Sequence, residues 1–424
     1  MKRTRPAGLD GAFLRPQFPA LGRLIEGKRL VYLDSACTAL KPRAVIDAVA
    51  DFHESLGSCG GKRSTHLLAQ LVEQQANQAR QTVAEFMGAE SANEIVFTSG
   101  ATEAANLLAR AFPYESGRDE VVLSDLEHNA VFLPFFEATR RGEARLKLWR
   151  GRDGVLDPDD LKKLVSDRTA LVAVTHASNV CGGVQALAEI CRIAHRHGAR
   201  VFSDDAQFVC THRENVSAMD IDFAAFSAHK IGGPFGLGVL YGKEHELNRL
   251  RHYKVGGGTV RSVSWTGESP PEVRYLDAPA RFEAGVANFG AFAGLTAAIG
   301  LLRSIPEAAL RAHISGLVGR TVKGLARLPQ IRVVGDVERL AQGSLVSFYP
   351  VHPDFSIVDL GLFLNHELSS RCVALRVGEH CAHLLHQSLG IPATARASFW
   401  LYNTAAEVDC LIEAVGEYAR TACP

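Results

Sequence analysis

Short apolar runs alternate with amphipathic stretches through most of the first 290 residues of this 424-residue chain. Six runs have the length and composition of buried strands, namely 95–97, 120–124, 170–175, 201–203, 223–226 and 238–241. Between them, the stretches 67–87, 158–165 and 186–197 repeat their apolar residues at helical spacing. This alternation predicts an α/β fold, in which helices cover both faces of a mainly parallel sheet.

The pattern changes after residue 290. A long apolar helix over 291–304 is predicted to pass from one domain to the next. Beyond it we predict helices at 308–328, 358–370 and 406–421 and strands at 330–334 and 344–349. A chain of this length exceeds one ordinary core. We therefore expect a large α/β domain over 31–295 and a smaller α+β domain formed by 1–30 and 296–424.

Composition limits the kinds of partner to expect and indicates the cellular compartment. Lysine plus arginine and aspartate plus glutamate both number 46, so no net field favours nucleic acid or an anionic membrane, and neither is expected as a partner. No apolar stretch has the length of a membrane span, and the basic N-terminus lacks an apolar segment behind it. The nine cysteines show no CxxC spacing, so no metal site is expected, and their scattered, odd number favours a reducing, cytoplasmic location.

A lysine and an acid follow two neighbouring predicted strands. Lys230 comes just after the run 223–226, and Asp204 ends the run 201–203. Pyridoxal phosphate (PLP) chemistry needs this pair, because the lysine forms a Schiff base with the cofactor aldehyde and the carboxylate keeps the pyridine nitrogen protonated. Taken alone, Lys230 is equally consistent with a surface lysine before a turn. Together with Asp204 it favours a PLP site.

Two consecutive aspartates compete for the cofactor-facing position. Adjacent strand residues point to opposite faces, so only one of Asp204 and Asp205 can meet the ring. The spacing to Gln207, whose amide could donate to the cofactor phenolate oxygen, favours Asp204. Asp205 is then expected to point towards solvent or a basic partner.

Other candidates follow strand ends but are less specific. Ala101 and Thr102 open a helix after the run 95–97, and the N–H groups of a helix N-terminus bind phosphate, although an ordinary turn would look the same. His128 could stack on a cofactor ring or be a satisfied loop histidine. Asn179 could bind a substrate carboxylate or simply cap the next helix.

The last pattern surrounds a cysteine near the C-terminal end. Cys381 lies beside His380 and near Arg376, groups that could lower a thiol pKa and make it a nucleophile, whereas a buried structural cysteine is the alternative. Arg396 begins a strand-like run, and its guanidinium suits a substrate α-carboxylate.

Together these motifs resemble the class V aminotransferase-fold PLP enzymes, and within them the group II, or SUF-type, cysteine desulfurases and selenocysteine lyases. The resemblance runs from 33–36 to 402–404, nearly the whole chain, and its most specific part is the Arg-x-Gly-x-His-Cys-Ala pattern at 376–382. It implies a PLP-dependent transferase of fold type I with a seven-stranded sheet. It also implies a homodimer, in which Gly257-Gly258 and the loop 283–288 reach the neighbour's cofactor.

The resemblance also implies residue roles. Lys230, Cys381 and His128 would be catalytic, with His128 stacked on the ring and Cys381 keeping the substrate sulfur as a persulfide while alanine is released. Asn179 and Arg396 would bind the substrate carboxylate. Thr102, Ser227 and His229 would hold the phosphate. The full cofactor-binding set would be Ala101, Thr102, His128, Asp204, Gln207, Ser227, His229 and Lys230.

Four departures from the family pattern stand out. Ala101 and Val286 replace threonines whose hydroxyls would bind the phosphate, so we expect weaker PLP retention than is usual. Asp205 replaces a common glycine. After Cys381, the usual Ala-x-Pro-Leu is replaced by the sequence at 382–385, Ala-His-Leu-Leu.

The expected activity is conversion of L-cysteine to L-alanine, with transfer of the persulfide sulfur to an acceptor protein, as in iron–sulfur cluster biogenesis. Alternatives within PLP chemistry are a selenocysteine lyase, a cysteine or cystine β-lyase giving pyruvate, and an epimerase. Cys381 favours the desulfurase over the β-lyase and the epimerase, which need no nucleophile at that position. A non-catalytic scaffold is disfavoured, because both Lys230 and Cys381 are present.

Overall fold

Seven strands form the largest sheet. The computed structural model describes residues 9–61, 64–267 and 269–423. The strand order is Ile95–Thr98, Gly238–Gly242, Phe223–Ser227, Arg200–Asp204, Thr169–Thr175, Glu120–Ser124 and Arg145–Trp149. Gly238–Gly242 runs antiparallel to both neighbours, and the other pairs are parallel. The predicted α/β fold with a mainly parallel, seven-stranded sheet is therefore confirmed.

Burial explains which strands were visible in the sequence. Every residue of Thr169–Thr175 is buried, because alternate side chains enter apolar clusters on opposite faces: Leu171 and Ala173 on one, Val172 and Val174 on the other. Such a strand appears as a continuous apolar run. The edge strand Arg145–Trp149 is only partly buried and carries charges. Its sequence therefore contains no continuous apolar run that would predict a strand.

Helices pack on this sheet and on one another. They are Arg43–Asp51, Leu67–Met87, Ala101–Ala111, Asn129–Arg140, Pro158–Leu164, Leu187–Arg196, Glu244–Arg249 and Phe289–Arg303. Phe289–Arg303 packs against both Arg43–Asp51 and Leu67–Met87, which explains its nearly continuous apolar sequence.

The C-terminal part builds a second, antiparallel sheet. Its strands, in order, are Ile331–Val333, Leu345–Pro350, Thr394–Ser398 and Arg376–Gly378. The helices of this part are Glu307–Leu325, Val337–Leu340, Ile357–Leu362, His383–Leu389 and Ala405–Ala422. The division into domains at residues 31 and 295 stays a prediction.

Smaller elements complete the described chain. A short helix, Gly11–Leu14, lies near the start. A three-stranded sheet joins Leu24–Ile25, Lys28–Tyr32 and Arg371–Ala374, so the N-terminal segment pairs with a strand more than 300 positions later. An exposed hairpin pairs Val260–Ser264 with Glu272–Tyr275.

Among the residues described, no single helix is long and apolar enough to cross a membrane. Phe289–Arg303 and Glu307–Leu325 meet the length and composition criteria only as a pair, and the two are bent by 84° relative to each other.

Candidate active site

The parallel strands end along one edge of the large sheet, and the candidate residues follow them. Thr175 pairs with Asp204, and Asp204 pairs with Ala225, which lies two residues before the end of its strand. In sheets of this kind ligands bind at the carboxyl ends of the strands. The register therefore brings together the segments that carry Asn179, Asp204 and Lys230.

Lys230 lies in a single helical turn after the strand Phe223–Ser227. Its Nζ donates a hydrogen bond to the carbonyl oxygen of Ala36, and Gln207 Nε2 donates to the same oxygen at 2.8 Å. Burial, and then the charge of Arg396, lower the pKa of the Lys230 amine. The neutral amine is the form that bonds to an aldehyde carbon, and a lowered pKa increases its population.

Asp204 presents a buried carboxyl group near this lysine. One of its oxygens accepts the N–H of Ala206 at 3.0 Å. Burial raises the pKa of Asp204, and the charge of Lys230 opposes that rise. A buried carboxylate is costly without a cationic or N–H partner, which a protonated pyridine nitrogen supplies.

Asp205 does not face solvent. It is 0% exposed and its Oδ1 lies 3.0 Å from Nδ1 of His176. Of the two expected orientations, the one towards a basic partner is observed. His176 was not among the candidate residues, because a single histidine after a strand carries no distinguishing pattern.

The predicted phosphate end is the N-terminus of helix Ala101–Ala111. Ser227 Oγ accepts the N–H of Ala101 at 2.8 Å, so this hydroxyl from a neighbouring strand end satisfies the first N–H of the helix. Ala104 is the first residue whose N–H bonds within the turn, to Gly100, and Thr102 is exposed at this end. His229 is partly buried, and its Nδ1 has no hydrogen-bond partner among the residues described.

His128 caps the helix Asn129–Arg140, because its Nδ1 accepts the N–H of Ala130 at 3.0 Å. Burial, followed by the charges of Lys230 and Arg396, lowers the pKa of His128 to about 4. The ring is therefore neutral at pH 7. Its stacking on a cofactor ring stays a prediction.

Arg396 is buried on the strand Thr394–Ser398, and it is held from two sides. Its Nη1 donates to the carbonyl oxygen of Asn179 at 2.9 Å, and its Nη2 lies 3.5 Å from Asp34 Oδ1. The Asn179 side chain in turn donates to the carbonyl oxygen of His380 at 2.9 Å. The predicted substrate-carboxylate residues thus lie together, beside the loop that carries Cys381.

Cys381 is exposed on a strained turn. His380 and Cys381 have φ values of 52° and 56°, the left-handed region that residues other than glycine rarely adopt. The carbonyl oxygen of Cys381 accepts the N–H of Asn129 at 2.7 Å, which fixes the turn next to the His128 segment.

The expected tuning of the Cys381 thiol by Arg376 and His380 is not what the side chains show. Arg376 Nη2 contacts Asp34 Oδ2 and the Sγ of Cys37, each at 2.8 Å. His380 Nε2 lies 2.8 Å from the Thr394 hydroxyl, and burial together with the Arg396 charge lowers the pKa of its imidazole to about 2. Both side chains therefore bond to groups other than the Cys381 thiol, and the His380 imidazole is neutral.

Cys37 is a site residue that sequence reasoning missed. It precedes Thr38, in the segment whose Ala36 carbonyl accepts hydrogen bonds from Lys230 and Gln207, and its contact with Arg376 places a second thiol at this site. Nothing in its local sequence marked it, because the contact spans 339 positions.

The two loops expected at a neighbour's cofactor bond to each other. Gly285 N–H donates to the carbonyl oxygen of Gly257 at 2.8 Å. Glu283 anchors this loop through Arg80 Nη2 at 2.7 Å and the N–H of Phe97 at 2.7 Å. Val286 stands at its tip, 79% exposed.

These residues fit PLP. A buried acid for the pyridine nitrogen, an amine of lowered pKa and a helix N-terminus for the phosphate converge at one sheet edge. Gln207 Oε1 and Arg396 Nε are also buried without a hydrogen-bond partner among the residues described, so the site has polar atoms left for ligands.

Comparisons with known proteins agree with the fold and identify the family. The aminotransferase class-V family model matches residues 31–411. The chain is 40% identical over 405 residues to a cysteine desulfurase of Dickeya dadantii, covering 94% of each chain. It is 37% identical over 430 residues to a probable cysteine desulfurase of Halobacterium salinarum, covering 100% of each.

Solved structures show the same similarity. An Escherichia coli cysteine desulfurase matches with a TM-score of 0.85 and 33% identity, over 97% of this chain and 99% of that one. A Thermococcus onnurineus cysteine desulfurase matches with a TM-score of 0.87 and 30% identity, over 99% of this chain and 100% of that one. The chain therefore belongs to the aminotransferase class-V family, and PLP is the cofactor that this family and this donor set imply.

Proposed function

We propose that this protein is a PLP-dependent cysteine desulfurase of group II, which converts L-cysteine to L-alanine. One observation carries the proposal: the turn that bears exposed Cys381 is hydrogen-bonded to Asn179, and Asn179 is hydrogen-bonded to buried Arg396. A candidate nucleophile therefore lies beside a candidate carboxylate site. The full-length similarity to curated cysteine desulfurases supports the same activity.

Substrate binding is the first task of the chain's own residues. Arg396 and Asn179 bind the α-carboxylate of L-cysteine. Asp34 holds the Arg396 guanidinium in place through Nη2 of the arginine. Asp204 and Gln207 would hold the cofactor ring, Lys230 its aldehyde carbon, and Ser227, His229 and the residues 101–102 its phosphate. When bound, PLP withdraws electrons from the substrate α-carbon and so weakens its bonds.

Proton movement and sulfur transfer follow. Lys230 takes the α-proton of the substrate and returns a proton to the product, a role its lowered amine pKa favours. The Cys381 thiolate attacks the substrate sulfur, so that the S–S bond forms as the carbon–sulfur bond breaks. The sulfur stays on Cys381 as a persulfide, the carbon fragment gains a proton, and alanine leaves.

The proposal also covers the oligomeric state, the sulfur acceptor and the location of the enzyme. A homodimer would place the linked 256–258 and 283–288 loops, with exposed Val286, against the neighbouring site. The persulfide on Cys381 is exposed enough to pass to a thiol of an acceptor protein, as iron–sulfur cluster assembly requires. We place the protein in the cytoplasm.

Product analysis with L-cysteine and a reductant tests this function. PLP-loaded wild type should give alanine and sulfide in equal amounts. Cys381→Ala should abolish sulfide release while the visible absorbance of bound PLP still changes on adding L-cysteine, because Lys230 and Arg396 remain. Cys423→Ala, a partly buried cysteine near the C-terminus, is the matched control and should keep wild-type activity.

Other products would identify the alternatives. Pyruvate with ammonia, unaffected by Cys381→Ala, would mean β-elimination. Racemised cysteine would mean an epimerase, and a strong preference for selenocysteine over cysteine would mean a selenocysteine lyase. Full desulfurase activity in Cys381→Ala would reject the nucleophile role.

A further inference from the structure

A buried polar cluster lies next to Asp204 and has no part in the proposed desulfuration. It consists of His176, Asp205 and Glu214, which come from two strand ends and the loop that follows. Asp205 is the neighbour of Asp204, and the His176 N–H donates to the Asp204 carbonyl oxygen at 3.0 Å. All three side chains are buried, with Asp205 at 0% exposure.

Both carboxylates converge on one nitrogen. Asp205 Oδ1 lies 3.0 Å and Glu214 Oε2 lies 3.2 Å from His176 Nδ1. One nitrogen carries at most one hydrogen, and only the Asp205 contact has hydrogen-bond geometry. Glu214 Oε2 and Asp205 Oδ2 are therefore buried oxygens without a hydrogen-bond partner in the described chain. Such oxygens are rare and need a ligand or another explanation.

A second histidine between two carboxylates shows what an ordinary ion pair looks like here. His195 meets Asp222 through Nε2 at 2.7 Å and Asp220 through Nδ1 at 3.0 Å, one carboxylate for each nitrogen. Lys243 also lies 3.0 Å from Asp222 and balances the charge. The His195 cluster therefore has one carboxylate for each imidazole nitrogen and a lysine as a further cation, and the His176 cluster has neither feature.

Charge balance separates the two clusters further. Within the described chain, His176 is the only basic group in ion-pair contact with Asp205 or Glu214. Without a cation, a charged His176 leaves the two carboxyl groups either to share one further proton or to keep one uncompensated negative charge in the interior, which is costly. A divalent cation beside a neutral imidazole leaves none.

The donor distances also fit a metal. Zinc bonds to nitrogen and carboxylate oxygen at about 2.0–2.2 Å, so tetrahedral donors lie about 3.3 Å apart. The separations of His176 Nδ1 from Asp205 Oδ1 and Glu214 Oε2, 3.0 and 3.2 Å, need only small side-chain movements to reach that value. An imidazole in the set favours a transition metal over calcium or magnesium, which prefer oxygen alone.

We propose that the His176–Asp205–Glu214 cluster binds one divalent transition-metal cation, with zinc as the best match. The site is structural: it ties the loop that carries Glu214 to the ends of two strands, immediately beside the carboxyl group that faces the cofactor. His176, Asp205 and Glu214 are positioning residues for Asp204 in this arrangement. The sequence predicts no metal site here, because the three ligands span 38 positions and include no cysteine, so they form no short spacing pattern.

Metal content and thermal stability test the proposal without any reference to desulfurase activity. Full-length protein is expressed with added zinc, purified, and measured by mass spectrometry of the metals. We expect about one zinc per chain in the wild type and at least about tenfold less in Asp205→Asn/Glu214→Gln. Asp222→Asn, which alters the His195 ion pair, is the matched control and should keep its zinc.

A chelation experiment keeps the proposal testable if the double variant fails to fold. Removing zinc from the wild type should lower the melting temperature, and adding zinc, but not magnesium, should restore it. No zinc in the wild type, together with a melting temperature that neither chelator nor zinc changes, would overturn the proposal and leave a proton-sharing cluster. Zinc retained in the double variant would also overturn it, since the metal would then be held elsewhere.

Discussion

Glu127 and His128 are neighbours in sequence, and burial moves their pKa values in opposite directions. Burial is the main cause in both cases: the pKa of Glu127 rises to about 8 and that of His128 falls to about 4. Hydrogen bonds to Glu127 Oε1 from the Ser124 hydroxyl and the Thr175 N–H only partly offset the rise. Both groups are therefore largely uncharged near pH 7.

This shift predicts a pH-dependent stability. The folded pKa of Glu127, about 8, exceeds its ordinary 4.5, so its contribution to stability is complete below about pH 4.5 and is lost as pH rises through 8. Glu127→Gln removes the ionisation. The unfolding free energy of the variant, minus that of wild type, should grow between pH 5 and pH 8 by at most about 1.4 kcal/mol per pH unit.

Urea unfolding of the PLP-free proteins at several pH values measures this difference. Glu137→Gln, on an exposed helical face, is the control and should show a difference that hardly varies with pH. A flat profile for Glu127→Gln would mean that Glu127 titrates normally in the folded protein.

At the scale of elements, the close contact of two glycines positions the helix N-terminus at the predicted phosphate site. A Cβ on Gly238 would lie 2.4 Å from Gly100 Cα, where the helix Ala101–Ala111 begins. Gly238→Ala should therefore push the helix N-terminus away from the site and lower PLP affinity by at least about tenfold, the equivalent of one charged hydrogen bond.

Fluorescence or absorbance titration of PLP measures that loss. Gly300→Ala is the matched control, because a Cβ there meets no atom within 4 Å and the residue is in the helix Phe289–Arg303. It should bind PLP like wild type and be more stable by roughly 0.5–1 kcal/mol. Equal PLP affinity in both variants would contradict the role of the Gly238–Gly100 contact.

The predictable elements were those whose burial gives a clear apolar pattern, whether a strand buried throughout or an amphipathic helix. Thr169–Thr175 and Leu67–Met87 were located nearly to the residue, because burial dictates their apolar patterns. The helix Asn129–Arg140 was not, since Pro134 lies inside it, and the edge strand Arg145–Trp149 lacks an apolar run. Exposed elements leave too little hydrophobic signal to be placed.

The grouping of the candidate residues was predictable where they follow strand ends. Asp204 and Lys230 were expected to lie near each other because they follow the ends of neighbouring strands, and the structure brings them together. The contacts of Cys37 with Arg376 and of His176 with Glu214 were not, because they depend on how distant segments pack. For the same reason, the sequence placed Arg376 near Cys381 in the chain without showing that its side chain bonds to Asp34.

At the scale of the whole molecule, a proposed dimer would make the cofactor site a shared one. The tip residue Val286 is exposed in the single chain, and the family resemblance puts a threonine there that bonds the neighbour's phosphate. Val286→Thr should restore that bond and tighten PLP binding, since a hydrogen bond to a charged group contributes about 1.5–3 kcal/mol.

A PLP titration of the Val286→Thr variant should show at least about tenfold tighter binding than wild type. Val358→Thr, at another exposed valine, is the control and should leave PLP binding unchanged. An unchanged dissociation constant in Val286→Thr would show that this loop does not reach a phosphate.

The most direct test of the central claim is the location of the transferred sulfur after one turnover. PLP-loaded protein is mixed with L-cysteine without reductant, and its thiols are blocked. Peptide mass spectrometry then locates the added sulfur atom. We predict that Cys381 carries it, with an equal amount of alanine released. Alanine formed while Cys381 stays unmodified, or sulfur found on Cys37 in the Cys381→Ala variant at the wild-type rate, would contradict the assignment of Cys381 as the sulfur-accepting nucleophile.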